Sequence, residues 1–255
     1  MDNAPHSLNS GQRFFRRFQF LESISPAGAR LPLRYHAQKM LGALEPEIQA
    51  LPMLCDLSRV SVDIGANKGV YTYRLKPLSR HVHAFEPLKE CCDFIAPHDP
   101  GSITIKNFAL SDAEGELTLF IPEIDGRSYY TRASLVGPAG AYQVRHVPVK
   151  RLDDFSFDRV GFIKIDVEGH ELSVLKGARE LLQRDKPNLL IEIDLTGHSE
   201  EGFNEVFNFL YALGYESFVY QNKALIQIRG RELEFGASSI NFIFRPSATL
   251  AAGVL

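Results

Sequence analysis

The chain has 255 residues, of which 45% are hydrophobic and 23% are charged, and its formal net charge is −3. This composition is typical of a soluble globular protein with one or two domains, and it excludes collagen-like, largely disordered and disulfide-stapled classes. Because the chain has no overall basic charge, we expect no nucleic-acid partner.

The three cysteines are Cys55, Cys91 and Cys92, and they form no Cys-x-x-Cys pair. We therefore predict free, buried thiols in a reducing compartment. The N-terminus lacks the cationic start and apolar core of a signal peptide, and no run of about 18 apolar residues is present. A cytoplasmic location without a transmembrane segment is the resulting expectation.

Residues 1–58 lack strong alternation and contain scattered prolines. Two helical patches, near Arg13–Ile24 and Leu33–Leu44, predict a helical extension that packs as a cap on a larger domain. The basic, aromatic stretch Arg13–Phe18 allows peripheral contact with a membrane or a lipid-linked substrate. Phenylalanines in such a stretch are more often buried on the parent domain.

From residue 59 onward, short apolar runs alternate with amphipathic stretches. The predicted buried strands are Val60–Ile64, Val82–Phe85, Ile103–Phe108, Phe162–Ile165 and Leu189–Ile193. Strands that alternate with helices predict a doubly wound, Rossmann-like α/β sheet. The closely spaced runs Glu216–Tyr220, Ala224–Ile228 and Ile240–Phe244 predict an antiparallel end to this sheet.

Residues 110–150 interrupt the alternation. Glu116–Ile121 and Val144–Lys150 are predicted strands, and the polar loop 122–143 separates them. Long loops within a compact domain are usually functional or disordered, and we interpret this one as a flap over the site.

A glycine-containing turn, Val62–Gly69, follows the first strand directly, and Glu86 ends the second strand. In dinucleotide-binding folds, an acid about 20 residues after such a turn binds the ribose hydroxyls. The predicted cofactor-binding residues here are Asp63, Gly65, Ala66, Asn67, Gly69, Glu86 and Pro87. The alternative is a turn that only reverses the chain.

The charges of this turn favour S-adenosylmethionine over NAD. A nicotinamide site needs Gly-x-Gly-x-x-Gly for its pyrophosphate, but Asn67 and Val70 replace the second and third glycines. Asp63 adds a carboxylate, which disfavours a diphosphate and favours the sulfonium and ammonium groups of S-adenosylmethionine.

Two further segments follow predicted strands. Asn107 and Ala109, after the third strand, are expected to contact the adenine, whereas Asp112–Gly115 reads as a turn. Asp166, Glu168 and His170 follow the fourth strand and predict acid/base chemistry on a substrate hydroxyl. Asp166 is also expected to contact the cofactor. Helix capping is the alternative for all three residues.

A metal site is a weaker hypothesis. Glu192 ends the fifth strand, and together with Asp166 it could provide oxygen ligands for Mg²⁺.

Several motifs occur in a fixed order along the chain. They are Val62–Gly69, Phe85-Glu86-Pro87, Ala109–Asp112, Leu152–Phe155, Ile163–Glu171 and Asn241–Phe244. Together they resemble the FkbM-type methyltransferases, a class I S-adenosylmethionine-dependent family. The resemblance implies a seven-stranded sheet with an antiparallel terminal strand. It also implies methyl transfer to a hydroxyl of a small-molecule acceptor, namely a sugar, a glycolipid or a secondary metabolite.

On this reading, residues 1–58 are the cap, 59–246 the methyltransferase domain and 247–255 a C-terminal tail. Two alternatives stay open: an N- or C-methyltransferase, and a non-catalytic nucleotide-binding Rossmann module. No Asn/Asp-Pro-Pro-aromatic tetrapeptide follows the fourth strand, which argues against amino-nitrogen chemistry of the adenine or glutamine type.

Overall fold

The computed structural model describes residues 21–124, 127–128, 140–194, 200–228 and 239–247. The basic, aromatic stretch Arg13–Phe18 lies outside the described residues. So do residues 129–139 of the predicted flap and residues 248–255 of the predicted tail.

The helices are short, with the exception of the first and the last. They are α1 (Ala27–Met40), α2 (Leu51–Leu54), α3 (Val70–Leu75), α4 (Lys89–Ile95), α5 (Glu171–Lys176), α6 (Arg179–Asp185) and α7 (Glu200–Ala212). Turns of 3₁₀-helix occur at Pro46–Gln49, Lys76–Leu78 and Leu152–Asp154. Among the described residues, no helix combines the length and the apolar character needed to cross a membrane.

The strands form a large sheet and a small one. They are β1 (Val60–Ile64), β2 (His81–Phe85), β3 (Ile103–Lys106), β4 (Ala109–Leu110), β5 (Gly115–Ile124), β6 (Arg127–Ser128), β7 (Tyr142–Lys150), β8 (Val160–Ile165), β9 (Asn188–Asp194), β10 (Tyr215–Gln221), β11 (Ala224–Ile228) and β12 (Ser239–Pro246). The large sheet has the order β11-β10-β12-β9-β8-β1-β2-β3, and the small one has the order β4-β7-β5-β6.

The large sheet confirms the predicted doubly wound α/β class. Strands β3, β2, β1, β8 and β9 pair in parallel, and β12 is antiparallel to both β9 and β10. All eight strands that the sequence pattern predicted for this sheet are present, one more than the seven that the family resemblance implies, with β11 at the edge. The hairpin between β10 and β11 turns at Asn222 and Lys223, which both have positive φ, as a tight two-residue hairpin turn requires.

The small sheet contains both strands predicted between residues 110 and 150. Strands β5 and β7 are antiparallel and longer than expected, so residues 122–124 and 142–143 of the predicted flap belong to strands. The predicted third strand was too long. It ends at Lys106, and Ala109–Leu110 instead pairs with β7 in the small sheet.

Apolar side chains cover both faces of the large sheet. On one face, α5, α6 and α7 pack on β8, β9 and β12. On the other face, Leu31 and Leu51 are fully buried in a cluster with Phe162 of β8 and Ile243 of β12. The described part of the N-terminal segment therefore contributes to the core of the sheet.

The three cysteines are free. Cys91 and Cys92 are buried as predicted, whereas Cys55 is only partly buried. Burial raises the pKa of each of the three thiols to about 12. These groups are therefore unreactive thiols at neutral pH.

Candidate active site

The turn after β1 joins the carboxyl ends of three parallel strands. The amides of Gly65 and Ala66 donate to the Phe85 carbonyl of β2 at 3.0 and 3.1 Å, and the Asp166 amide donates to the Ile64 carbonyl at 3.0 Å. Gly65 has a φ of +76°, and a Cβ there would lie 1.8 Å from the Asp166 carbonyl oxygen. Only glycine fits this position, because the turn after β1 passes directly against the end of β8.

Gly69 has a second close approach. It lies at the N-terminus of α3 with a φ of +76°, and an added Cβ would lie 2.7 Å from the Ile95 side chain of α4. This glycine therefore allows α3 and α4 to pack tightly below the turn.

Glu86 is fixed to the same turn. Its two carboxylate oxygens accept hydrogen bonds from the Asn67 and Leu88 amides, each at 2.8 Å. Burial nevertheless raises the pKa of Glu86 to about 7, because the desolvation of the carboxylate outweighs these two bonds. The two predicted cofactor motifs are thus in direct contact, and each carboxylate oxygen retains capacity to accept another hydrogen bond.

Asn107 positions the backbone that follows β2. Its side-chain amide donates to the carbonyls of Glu86 and Pro87 at 3.0 and 2.8 Å. Ala109 lies in β4 and packs against the apolar cluster that contains Leu88. Adenine contact by Asn107 and Ala109 stays a prediction.

Asp63 is almost completely buried, with 1% of its surface exposed. It accepts a hydrogen bond from the Thr72 hydroxyl at 2.5 Å. Burial raises the pKa of Asp63 to about 6, and the hydrogen bond and the nearby Lys164 ammonium oppose this shift. The Asp63 carboxylate is therefore enclosed by protein, and its influence on the cavity is electrostatic.

The central cation of the site is Lys164, a residue to which the sequence analysis gave no role. It is 1% exposed, and its ammonium lies 3.8 Å from an Asp166 oxygen and 3.7 Å from a Glu192 oxygen. It also donates to the Asn241 side-chain oxygen at 3.1 Å. These opposite charges raise the pKa of Lys164 despite its burial, so the group is a buried ammonium.

Strand register explains why these polar groups meet. Asp63 of β1 is paired with Lys164 of β8, and Glu192 of β9 is paired with Asn241 of β12. Side chains alternate between the faces of a sheet, and these residues share the face on which Phe162 and Ile243 are buried. A lysine within the apolar run of β8 was a detectable signal, but its partners depend on the order of the strands.

Glu45 reaches this cluster from the N-terminal segment. One of its carboxylate oxygens accepts hydrogen bonds from the Tyr71 hydroxyl at 2.6 Å and from the Asn241 side-chain amide at 2.8 Å. The Lys164 ammonium lies 5.0 Å from the centre of the Tyr71 ring. Five carboxylates among the described residues interact electrostatically with this single ammonium, namely Glu45, Glu47, Asp63, Asp166 and Glu192.

A cavity of about 200 Å³ opens at this position. It is lined by Arg34, Gln38, Ala43, Leu44, Glu45, Ile48, Asp63, Gly65, Ala66, Asn67, Lys68, Val70, Tyr71, Lys164 and Asp166. The structure thus brings five of the predicted site residues together around one cavity. The remaining seven lie outside its lining.

The predicted catalytic residues face different neighbours. Asp166 is half-buried at the cavity, and burial raises its pKa while the Lys164 ammonium lowers it. His170 instead forms a hydrogen bond with the Ser111 hydroxyl at 2.8 Å, and burial lowers its pKa. Glu168 is exposed and has a φ of +50°. His170 occupies the N-cap position of α5, as the capping alternative expects, but its side chain makes no cap hydrogen bond.

The arrangement around Lys164 argues against the magnesium hypothesis. The ammonium is within 4 Å of both Asp166 and Glu192, the two carboxylates to which the hypothesis assigned Mg²⁺. Within the described ranges, no group of three or more His, Cys, Asp or Glu residues is placed to hold a metal ion.

Residues 63–217 match the methyltransferase FkbM domain, which is more than half of the chain. The large sheet, with its glycine-containing turn at the carboxyl edge, is of the Rossmann-like class. The match over residues 63–217 shows that the chain belongs to the FkbM methyltransferase family.

Among characterised proteins, the chain is similar to hexuronic acid methyltransferase AglP of Haloferax volcanii, with 26% identity over 125 residues. That match covers 48% of this chain, and the chain spans about half the length of that relative, 50%. Among solved structures, methyltransferase FkbM from Methylobacillus flagellatus KT has 18% identity and a TM-score of 0.49, over 91% of this chain and 59% of that one. An rRNA methylase from Streptococcus thermophilus has 12% identity and a TM-score of 0.46, and the match covers 79% of this chain and 95% of that one.

Proposed function

We propose that the chain transfers the methyl group of S-adenosylmethionine to a hydroxyl of a sugar, a glycolipid or a secondary metabolite. The observation that carries this proposal is the match of residues 63–217 to the FkbM domain. The matched range includes Asp63, Lys164, Asp166 and Glu192 of the polar cluster. The cap role of residues 1–58 and a cytoplasmic location are parts of the same proposal.

The residues at the carboxyl edge suit this cofactor. Gly65 brings the turn against the end of β8 without a side chain, and Glu86 is held beside it with free acceptor capacity for a ribose diol. The carboxylates around Lys164 outnumber that ammonium, which favours a ligand with a cationic end beside them. When bound, S-adenosylmethionine supplies a methyl group already activated by the sulfonium.

The protein then has two tasks, which are alignment of the acceptor hydroxyl and removal of its proton. Asp166 is the preferred proton acceptor because it lines the cavity and because burial raises its pKa. The Lys164 ammonium, 3.8 Å from an Asp166 oxygen, opposes that rise. His170 and Glu168 are the alternatives, and both would need the acceptor to reach beyond the cavity lining.

A sugar acceptor has a specific source of support. The relative AglP is named for hexuronic acid, and it matches this chain over 125 residues. An acceptor of this kind has several ring hydroxyls, of which one would be placed at Asp166.

The test is a labelled-methyl assay with the full chain against panels of sugars, uronic acids, glycolipids and polyketides. With the best acceptor and saturating cofactor, single-turnover rates are compared for Asp166→Asn, Glu168→Gln and His170→Asn. Loss of a general base lowers such a rate by about 10²–10⁴-fold, and we expect this for Asp166→Asn. Asp158→Asn is the control, because its carboxylate forms an exposed ion pair with Arg80.

Two outcomes would contradict the proposal. If no hydroxyl compound is labelled while a nitrogen or carbon acceptor is, the reaction class is wrong. If hydroxyl methylation proceeds and none of the three substitutions lowers the rate by more than about tenfold, the assignment of the base is wrong. Magnetic resonance of the labelled product identifies the atom that carries the methyl group.

A further inference from the structure

A second and larger cavity lies beside the candidate active site. It is a cleft of about 750 Å³ between α1, the segment that follows it and the end of α3. It is lined by Tyr35, His36, Lys39, Gly42, Leu44, Glu45, Pro46, Ile48, Gln49, Tyr73, Arg74, Lys76, Pro77 and His98. Its volume is within the range of ligand-binding pockets, and none of the functional assignments above uses it.

The cleft carries positive charge in a chain whose net charge is −3. Lys39, Arg74 and Lys76 line it together with a single carboxylate, that of Glu45. Lys76 forms an ion pair with Asp99, whereas the part of the chain that the structure describes offers no ion pair to Lys39 or Arg74. These two side chains are therefore available to an anionic ligand.

Aromatic rings form another part of the wall. The centre of the Tyr73 ring is 4.9 Å from that of Tyr35, 5.2 Å from that of His98 and 6.0 Å from that of His36. Such rings combine an apolar face with a polar edge. They suit the faces of sugar rings, which are apolar in the middle and carry hydroxyls at the rim.

The cleft adjoins the smaller cavity of the candidate active site. Leu44, Glu45 and Ile48 line both, so this short segment is the wall between them. Glu45 is held in that wall by Tyr71 and Asn241. A ligand in the cleft is thus placed next to the carboxylates at which the acceptor hydroxyl is expected.

We propose that the cleft binds the anionic part of an acidic oligosaccharide, the remainder of which carries the methyl-accepting hydroxyl. This inference rests on the proposed function and specifies its substrate class. Lys39 and Arg74 would bind the carboxylates, and the cluster around Tyr73 would stack on the sugar rings.

The test is calorimetric titration of the full chain, without cofactor, by trigalacturonate, by uncharged maltotriose and by inorganic phosphate. The double variant Lys39→Gln/Arg74→Gln removes the two available charges. The control Lys176→Gln/Lys223→Gln makes the same change of charge at exposed positions outside the cleft. Thermal unfolding checks that all variants are folded.

We expect trigalacturonate to bind the wild-type chain more tightly than either other probe does. Its affinity for the Lys39→Gln/Arg74→Gln variant should be about 10- to 100-fold weaker than for the wild type, and its affinity for the control variant should be unchanged. Equal binding of trigalacturonate to the wild type and to that double variant would overturn the inference. If phosphate binds as tightly as trigalacturonate, the cleft is an anion site that does not recognise sugars, and the proposal is wrong. If maltotriose binds as tightly as trigalacturonate, the positive charges of the cleft do not select the ligand, and the proposal is also wrong.

The two proposals fail separately. Titration of S-adenosylmethionine into the same wild-type sample reports on the proposed function. If that cofactor binds and trigalacturonate does not, only the inference about the cleft is wrong. If the cofactor does not bind, the proposed function is wrong, whatever the cleft binds.

Discussion

Replacing Lys164 with methionine tests whether one ammonium holds the carboxylates of the site together. Methionine keeps most of the unbranched apolar stem and removes the charge. The change leaves Asp166 and Glu192 without the cation that lies 3.8 and 3.7 Å from their oxygens. It also leaves the Asn241 side-chain oxygen without the lysine donor.

The expected loss follows from these distances. A pair of unit charges about 4 Å apart interacts by about 4 kcal/mol at an effective dielectric constant of about 20, before the cost of burying the lysine is subtracted. Removing one partner of a buried pair costs about 3–5 kcal/mol of unfolding free energy. Because the side chains of Asp166 and Glu192 are 32% and 27% exposed, screening by water places the expected loss near 3 kcal/mol at pH 8.

The loss should depend on pH. Without the ammonium, the pKa values of Asp63 and Asp166 rise further, so the folded variant binds protons that the unfolded chain releases. Stability then falls as pH rises from about 4 through these raised pKa values. The substitution should therefore cost less at pH 5 than at pH 8.

Urea unfolding followed by circular dichroism at both pH values measures these quantities. The double variant Lys164→Met/Asp166→Asn should recover part of the loss at pH 8, because one of the stranded carboxylates is gone. A loss below about 1 kcal/mol at pH 8, or an equal loss at both pH values, would refute this reasoning.

Three other predictions follow from single positions. In Gly65→Ala the added Cβ would lie 1.8 Å from the Asp166 carbonyl oxygen, so this substitution should lower the free energy of unfolding by at least about 2 kcal/mol and abolish cofactor binding. The control Gly115→Ala, at a position with nothing within 4 Å of the added Cβ, should bind the cofactor normally in the same titration. The raised pKa of Glu86, about 7, makes the wild type lose stability as pH rises from about 4.3 to about 7. Glu86→Gln should therefore remove this part of the pH dependence of thermal unfolding. An unchanged pH dependence would contradict this assignment. Burial raises the pKa of Cys91 to about 12, so Ellman's reagent at pH 8 should label it only after unfolding, and rapid labelling of the folded chain would show that the thiol is accessible.

Much of the fold could be predicted from local pattern. The buried strands are continuous apolar runs, and the alternation with amphipathic helices gave the parallel sheet. The contact between the turn at Gly65 and Glu86 was also predictable, because the carboxyl ends of adjacent parallel strands meet at one edge. The edge strand β11 was predicted from its apolar run, whereas the family resemblance implied only seven strands.

The polar network was not predictable to the same extent. Lys164 is visible in the sequence as a charge within an apolar run, but it was given no role. Its partners come from β1, β9 and β12, and they are brought together only by strand order and register. Glu45 lies in a segment without a recognisable motif and reaches the site only through tertiary packing. His170 was grouped with Asp166 because they are close in sequence, whereas its imidazole contacts Ser111.

The central claim is that the carboxyl edge of β1, β2 and β8 binds S-adenosylmethionine. Calorimetric titration of the full chain with S-adenosylmethionine and with NAD tests it most directly. We expect saturable binding of S-adenosylmethionine that Gly65→Ala abolishes, and no binding of NAD. Binding of NAD alone, or S-adenosylmethionine binding that Gly65→Ala leaves unchanged, would contradict the claim.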